Sequence, residues 1–255
     1  MGSNPEMPEG GSPARQAVVT GGTKGLGLAV ATKLLQLGFD VTLTYSTDFD
    51  AAESTGDDLA RRFPNASISC LRADSVDLES IDTIETHLRE RGSRLDALVL
   101  NAGLTDRSSL EDLRVDAWTR VMTANLTFPT FLVQRLLPML SEGSSVVFTG
   151  SLMGIHPHSM SLSYGVSKSA THALVENLVK FLSPRGIRVN GVAPGFVDTE
   201  WQKKKPQEIR DSINSKIAEH RFAEPDEIAD VYAMLIENPY INGEIVKIDG
   251  GYSYQ

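Results

Sequence analysis

The chain is predicted to be an α/β protein: a doubly wound parallel sheet of about seven strands, of the Rossmann type, flanked by helices on both faces. Two observations carry this. Short β-branched runs alternate with longer amphipathic runs from residue 16 to residue 248, which is the pattern of successive βαβ units. The first of those units turns through Thr20-Gly21-Gly22-Thr23-Lys24-Gly25-Leu26-Gly27, a glycine cluster placed between a strand and a helix, where a tight backbone turn has a use.

Strands are expected at residues 16–20, 40–45, 67–72, 97–100, 145–149, 188–192 and 244–248. Helices are expected at 26–37, 50–63, 78–91, 115–140, 164–182 and 226–236. Parallel strands need crossover connections of this length, and right-handed crossovers lead to an open sheet wound in both directions. The 255 residues are enough for one well-buried domain. No internal repeat or linker divides them. Residues 1–14, rich in Gly, Pro, Ser and Glu, read as a disordered tail, leaving 15–255 as a single domain with a small substrate cap at about 197–223.

Composition excludes several roles. The formal charge of −9 gives no long-range attraction for a phosphate backbone, so nucleic acid is not an expected partner. The local basic run Lys203-Lys204-Lys205 reads first as a solvated face. No apolar stretch is long enough to span a membrane, and no signal-peptide pattern opens the chain, so a cytoplasmic location is expected. Cys70 is the only cysteine, which excludes an intrachain disulfide and fits a reducing compartment. It lies in an alternating apolar run and reads as a core residue. The five histidines, His87, His156, His158, His172 and His220, show no ligand spacing, and no metal is expected.

The glycine turn has a physical purpose. It brings the backbone close to a pyrophosphate and aims the free N–H groups and positive dipole end of the first helix at it. Its spacing is G-x-x-x-G-x-G, not the commoner G-x-G-x-x-G. At the other candidate site, Tyr164 and Lys168 are four residues apart at the start of a helical run and share a face. Ser151 lies at the carboxyl end of the fifth strand, the edge where open α/β sheets collect ligand chemistry.

These motifs, with Asp74, Asn101-Ala102-Gly103, Asn125, Pro194-Gly195 and Asp249-Gly250-Gly251 in the same order, resemble those of the short-chain dehydrogenase/reductase family. The resemblance covers nearly the whole chain after the tail, and is closest in character to the 3-oxoacyl carrier-protein reductase-like members. It implies hydride transfer between a nicotinamide cofactor and a carbonyl or alcohol. Asn125, Ser151, Tyr164 and Lys168 would be the catalytic set. Tyr164 would serve as acid/base, Ser151 would hold the substrate oxygen, and Lys168 would lower the phenol pKa and hold the nicotinamide ribose. Asn125 would hold a water joining Lys168 to solvent. A tyrosine of ordinary pKa, about 10, is too weak an acid for easy exchange near neutrality, and a neighbouring ammonium favours its phenolate.

Cofactor contacts are expected from Gly21, Thr23, Lys24, Gly25, Leu26, Gly27, Thr44, Tyr45, Ser46, Asp74, Ser75, Asn101, Ala102, Gly103, Pro194, Gly195, Val197 and Thr199, besides Tyr164 and Lys168. NADP(H) is expected over NAD(H). Thr44 stands where NAD-specific relatives usually carry a carboxylate, and Lys24 can meet a 2′-phosphate as a point charge. Met153, His156, Phe196 and Trp201 join Ser151 and Tyr164 as candidate substrate contacts, and Gly154 is expected to loosen the turn beside them. The expected substrate is a 3-oxoacyl thioester or polyketide-like ketone, possible carrier attachment included. A sugar or steroid alcohol is the alternative, and a non-catalytic nucleotide sensor the alternative of another class. A homotetramer is expected through the long middle helices and the last strand, with a dimer as fallback. The segment 237–243 is slightly shorter than in many relatives, which bears on that last contact.

Overall fold

The computed structural model describes residues 14–92, 94–157, 161–203 and 205–254. Nearly all of the expected N-terminal tail, together with His158 and Lys204, lies outside them. Seven parallel strands form one sheet in the order β3-β2-β1-β4-β5-β6-β7. They are β1 (Arg15–Val19), β2 (Phe39–Tyr45), β3 (Ile68–Arg72), β4 (Leu95–Leu100), β5 (Leu140–Thr149), β6 (Arg188–Pro194) and β7 (Ile245–Ile248). The helices are α1 (Gly25–Gln36), α2 (Phe49–Arg62), α3 (Ser80–Glu90), α4 (Val115–Met122), α5 (Phe128–Leu136), α6 (Leu162–Leu182), α7 (Glu200–Lys203), α8 (Gln207–Asn214) and α9 (Pro225–Glu237).

Strand alternation sorts the core into two faces. Val19, Val41, Leu43, Val99, Val147 and Val192 point to one side, where Val30 and Leu34 of α1 and Ile228, Tyr232 and Leu235 of α9 cover them. Val18, Leu98, Leu100, Val146, Phe148 and Val189 point to the other, against Ile84 and Leu88 of α3, Leu132 and Leu136 of α5, and Val175 of α6. Both faces are buried, so the strands read as continuous apolar runs. The strand order reverses between β1 and β4. Their carboxyl ends therefore open a crevice, and the candidate site lies in and beside it.

The long helix expected over residues 115–140 is corrected. It is α4, a π-helical turn at Thr123–Thr127, and α5, and the chain is already in β5 at Leu140. Two prolines explain the change. Pro129 has no N–H to give the Asn125 carbonyl four residues back, so regular α bonding cannot continue through that point. Pro138 disfavours helix at the residue before it, and α5 stops at Leu136. Leu140 then pairs with Leu95, and a register shift precedes the Ala97–Ser145 pair where the regular ladder starts.

Candidate active site

The glycine turn is held by its neighbours before any ligand is considered. Gly21 and Gly25 have φ of +62° and +55°, which only glycine adopts without strain. A Cβ on Gly27 would lie 2.2 Å from the Gly21 carbonyl oxygen. Asn101 donates through Nδ2 to the carbonyls of Thr20 and Gly21, at 3.1 and 3.2 Å. The Thr20 hydroxyl oxygen accepts from the backbone N–H groups of Asn101 and Ala102. Thr44, expected to offer its hydroxyl to the cofactor, is buried, and its Oγ1 accepts from the Gly21 N–H at 3.1 Å. Its first role is to fix the turn. The absence of a carboxylate at this position, which the expectation rested on, stands.

A cleft of about 530 Å³ runs from this turn to the end of β5. Every cofactor contact expected from the sequence lines it, as do Ser151 and Trp201. The glycine cradle, the exposed α1 N-terminus and the neutral end of β2 fit a dinucleotide. At the rim Lys24 lies 3.7 Å from Asp48, both largely exposed. A second cation, Arg72, which no sequence motif marks, stands at the end of β3 and donates through Nε to the Ser46 carbonyl at 3.2 Å.

At the other end, Ser151 leaves β5 in an extended conformation, and its Oγ accepts from the Met153 N–H at 3.1 Å. Tyr164 and Lys168 face it from α6. The Lys168 Nζ is buried, donates to the Thr149 carbonyl at 2.6 Å, and lies 5.5 Å from the centre of the Tyr164 ring. Thr149 is gripped from the opposite face as well, since the Tyr232 hydroxyl of α9 shares a 2.6 Å hydrogen bond with its Oγ1.

The expected electrostatics are corrected here. Lys168 was expected to lower the Tyr164 pKa. Burial instead pushes the phenol up, with the hydrogen bond to the Ser151 side chain a smaller opposing influence. Burial also brings Lys168 down to about 8. Desolvation penalises phenolate and ammonium alike, and is the largest influence on each. At neutral pH the phenol is therefore protonated.

Asn125 is more tightly engaged than expected. Its Oδ1 accepts from the Leu104 N–H at 2.7 Å, and its Nδ2 donates to the Leu104 carbonyl and the Ser167 hydroxyl, both at 2.9 Å. The side chain clamps the loop after β4 to α6. A Cβ on Gly103 would sit 3.1 Å from Asn125 Oδ1 and 3.6 Å from Lys168 Nζ, so glycine keeps the space between them open.

The substrate wall is only partly as expected. Trp201 is 46% exposed and its ring centre is 6.4 Å from that of Tyr164. Phe196 instead packs with Phe222 and Tyr252, at 5.5 and 5.2 Å, at the root of the cap and off the cleft wall. Met153 holds Ser151 through its backbone, and His156 is exposed; neither lines the cleft. Gly154 does not loosen its turn. A Cβ there would lie 2.7 Å from the His172 ring and 2.8 Å from the backbone of Lys168, so this glycine permits close packing on α6. In the basic run, Lys203 pairs with Glu200 at 3.0 Å. Among the described residues no cluster of His, Cys, Asp or Glu could hold a metal, and no helix is long and apolar enough to cross a membrane.

A glycine cradle at the switch point and a Ser-Tyr-Lys set at the end of the fifth strand define a nucleotide-dependent oxidoreductase. The chain belongs to the short-chain dehydrogenase/reductase family: residues 21–253 match the sequence model of the family described as enoyl-(acyl carrier protein) reductase. It is 32% identical over 246 residues to cis-4-hydroxycyclohexanecarboxylate dehydrogenase of Sinomonas cyclohexanicum, covering 94% of this chain and 96% of that one. It is 30% identical over 240 residues to 3-oxoacyl-[acyl-carrier-protein] reductase of Aquifex aeolicus, with 92% and 96% covered. Among solved structures it superposes on a short-chain dehydrogenase of Burkholderia cenocepacia in complex with NADP, with a TM-score of 0.88, 30% identity, and coverage of 94% of this chain and 98% of that one.

Proposed function

We propose that the protein uses NADPH to reduce a ketone to a secondary alcohol, acting on a 3-oxoacyl thioester or polyketide-like ketone. The observation that carries this is the convergence of Ser151, Tyr164 and Lys168 in the cleft that begins at the glycine turn. Bound nicotinamide supplies the hydride. The chain supplies what hydride arrival on a carbonyl requires: a hydroxyl to hold the oxygen, a protonated phenol to give it a proton, and a fixed approach. The protonated state of Tyr164 suits reduction at neutral pH. Lys168 would hold the nicotinamide ribose, and the space beside Asn125 and Gly103 would admit the water that resupplies the proton.

Cofactor choice rests on charge. Nothing acidic occupies the position of Thr44, and two cations, Lys24 and Arg72, stand at that end of the cleft. Asp48 offsets part of the Lys24 charge. Lys24→Ala and Arg72→Ala should each raise the NADPH KM by roughly 3–10-fold and leave NADH almost unaffected, since a charge-assisted hydrogen bond contributes about 1.5–3 kcal/mol before screening at an exposed rim. Wild-type kinetics that favour NADH would refute the assignment.

Substrate choice rests on Trp201, whose apolar face beside Tyr164 suits an acyl or aromatic body better than a bare sugar. The similarity to a cyclohexane-ring alcohol dehydrogenase keeps a cyclic alcohol as the second reading. A screen of NADPH consumption across β-ketoacyl thioesters, cyclic ketones and keto-sugars tests both, with oxidation of the matching alcohols as the reverse reaction. Turnover of sugars alone would overturn the substrate assignment. Phe131 on α5 and Val166 and Phe181 on α6 are 46%, 39% and 72% exposed. They support assembly as a homotetramer, or failing that a dimer, through these helices, which light scattering at micromolar concentration would read as a mass of several chains.

A further inference from the structure

We propose that His172 is a positioning residue for Ser151, acting as a neutral hydrogen-bond acceptor that fixes the serine at the end of β5. It lies one turn beyond Lys168 on α6 and is buried. Its Nε2 accepts from the Ser151 backbone N–H at 3.3 Å. A backbone N–H can only donate, so this bond requires a bare Nε2 and places the ring proton on Nδ1.

The sequence around Ser151 is shaped to that ring. A Cβ on Gly150 would come within 2.1 Å of Nε2, and one on Gly154 within 2.7 Å of Cε1. Glycine on both sides of the Ser151 turn opens the slot that the imidazole fills. The neutral state is secured by surroundings: burial first, then the Lys168 charge, push the His172 pKa down to about 4. A protonated ring would aim a donor at a donor and set a second cation beside Lys168.

The consequence is local. Ser151 Oγ must present itself both to Tyr164 and to a substrate oxygen, and the serine has few other anchors. Its Oγ accepts from Met153, and its carbonyl accepts from the Gly154 N–H at 2.9 Å. The preceding residues are held by the Val192 carbonyl, which accepts from the Gly150 N–H at 2.7 Å, and by Lys168 and Tyr232 on Thr149. His172 supplies the only side-chain bond to the Ser151 N–H among the described residues. A loss of register of a few tenths of an ångström at a reacting group lowers turnover without weakening cofactor binding.

The proposal rests on the ketone-reduction reading, and its test separates the two. His172→Leu removes the acceptor, while His172→Gln keeps an amide oxygen at similar reach. The expected result is a kcat at least about tenfold lower for His172→Leu, with the NADPH dissociation constant within about twofold of wild type, and a kcat for His172→Gln within about threefold of wild type. Equal impairment of both variants, or an undisturbed kcat in His172→Leu, would overturn it. Nitrogen-15 NMR of histidine-labelled wild-type protein gives a readout that needs no turnover and no variant. A neutral Nδ1–H tautomer for His172 from pH 5.5 to 8 is expected, and an Nε2–H tautomer or a charged ring would overturn the proposal. If the wild type reduces no ketone at all, the functional reading fails while the NMR result still decides the role of His172.

Discussion

Tyr164→Phe is expected to lower kcat by at least about 100-fold, because a positioned acid contributes roughly 10²–10⁴-fold to proton transfer. The phenylalanine keeps the ring beside Trp201 and under the Lys168 Nζ, so the shape of the cleft and the binding of cofactor should survive. A fluorescence titration with NADPH that gives a wild-type dissociation constant, beside turnover near background, is the expected pair of results. Unchanged turnover would remove Tyr164 from the chemistry. The wild-type pH profile carries a second check. Burial raises the Tyr164 pKa, so the phenol is the dominant form through neutrality and becomes phenolate only as pH climbs towards that raised value. Ketone reduction, which needs the acid form, should hold through neutral pH and decline on the alkaline side. Alcohol oxidation, which needs the base form, should rise over the same range. Lys168, at about 8, loses its charge within that window, which further disfavours the phenolate and moves the oxidative rise to higher pH.

Much of the arrangement was legible in the chain because two physical signals are local. Strand runs buried on both faces stay apolar throughout, and amphipathic helices carry a 3.6-residue period, so the seven strands and most of the helices fall where expected. The glycine turn was legible because its spacing serves the backbone itself. What was not legible depends on contacts between distant segments. The interruption at Asn125 needed the link from Pro129 to the carbonyl four residues before it, a signal present in the sequence but masked by the apolar periodicity of 115–140. Phe196 follows directly on the Pro-Gly motif, yet the approach of Phe222 and Tyr252 draws its ring to the root of the cap. The position of Thr44 at the end of the second strand suggests a cofactor donor, and only the fold reveals that the Gly21 N–H reaches it first. The His172 spacing, four after Lys168, already placed it on the catalytic face of α6. Its partner, a backbone N–H, leaves no mark in a sequence, so spacing alone does not distinguish the residue from the other histidines.

Gly27→Ala is the substitution expected to do most damage to cofactor binding without touching a reacting group. The added methyl would lie 2.2 Å from the Gly21 carbonyl oxygen and 2.6 Å from Asn101 Nδ2. Neither neighbour can give way cheaply. The carbonyl is backbone in a turn whose residue has φ of +62°, and the Asn101 amide is already bonded to Thr20 and Gly21. The N-terminus of α1 must therefore move away from the turn, and the backbone N–H groups that would face a pyrophosphate move with it. Forced overpacking of this kind costs about 1–3 kcal/mol, and a loss of about 1.4 kcal/mol in binding is tenfold in affinity. The NADPH dissociation constant should rise at least about tenfold, and the melting temperature should fall by several degrees. Gly38→Ala separates these effects. Its φ of +81° is equally unsuited to alanine, but no atom of the described residues lies within 4 Å of the added carbon and the residue is remote from the cleft. Left-handed strain of about 1–2 kcal/mol should lower its melting temperature and leave NADPH affinity unchanged. A Gly27→Ala protein that binds NADPH like wild type would show that the first turn of α1 does not set the cofactor site.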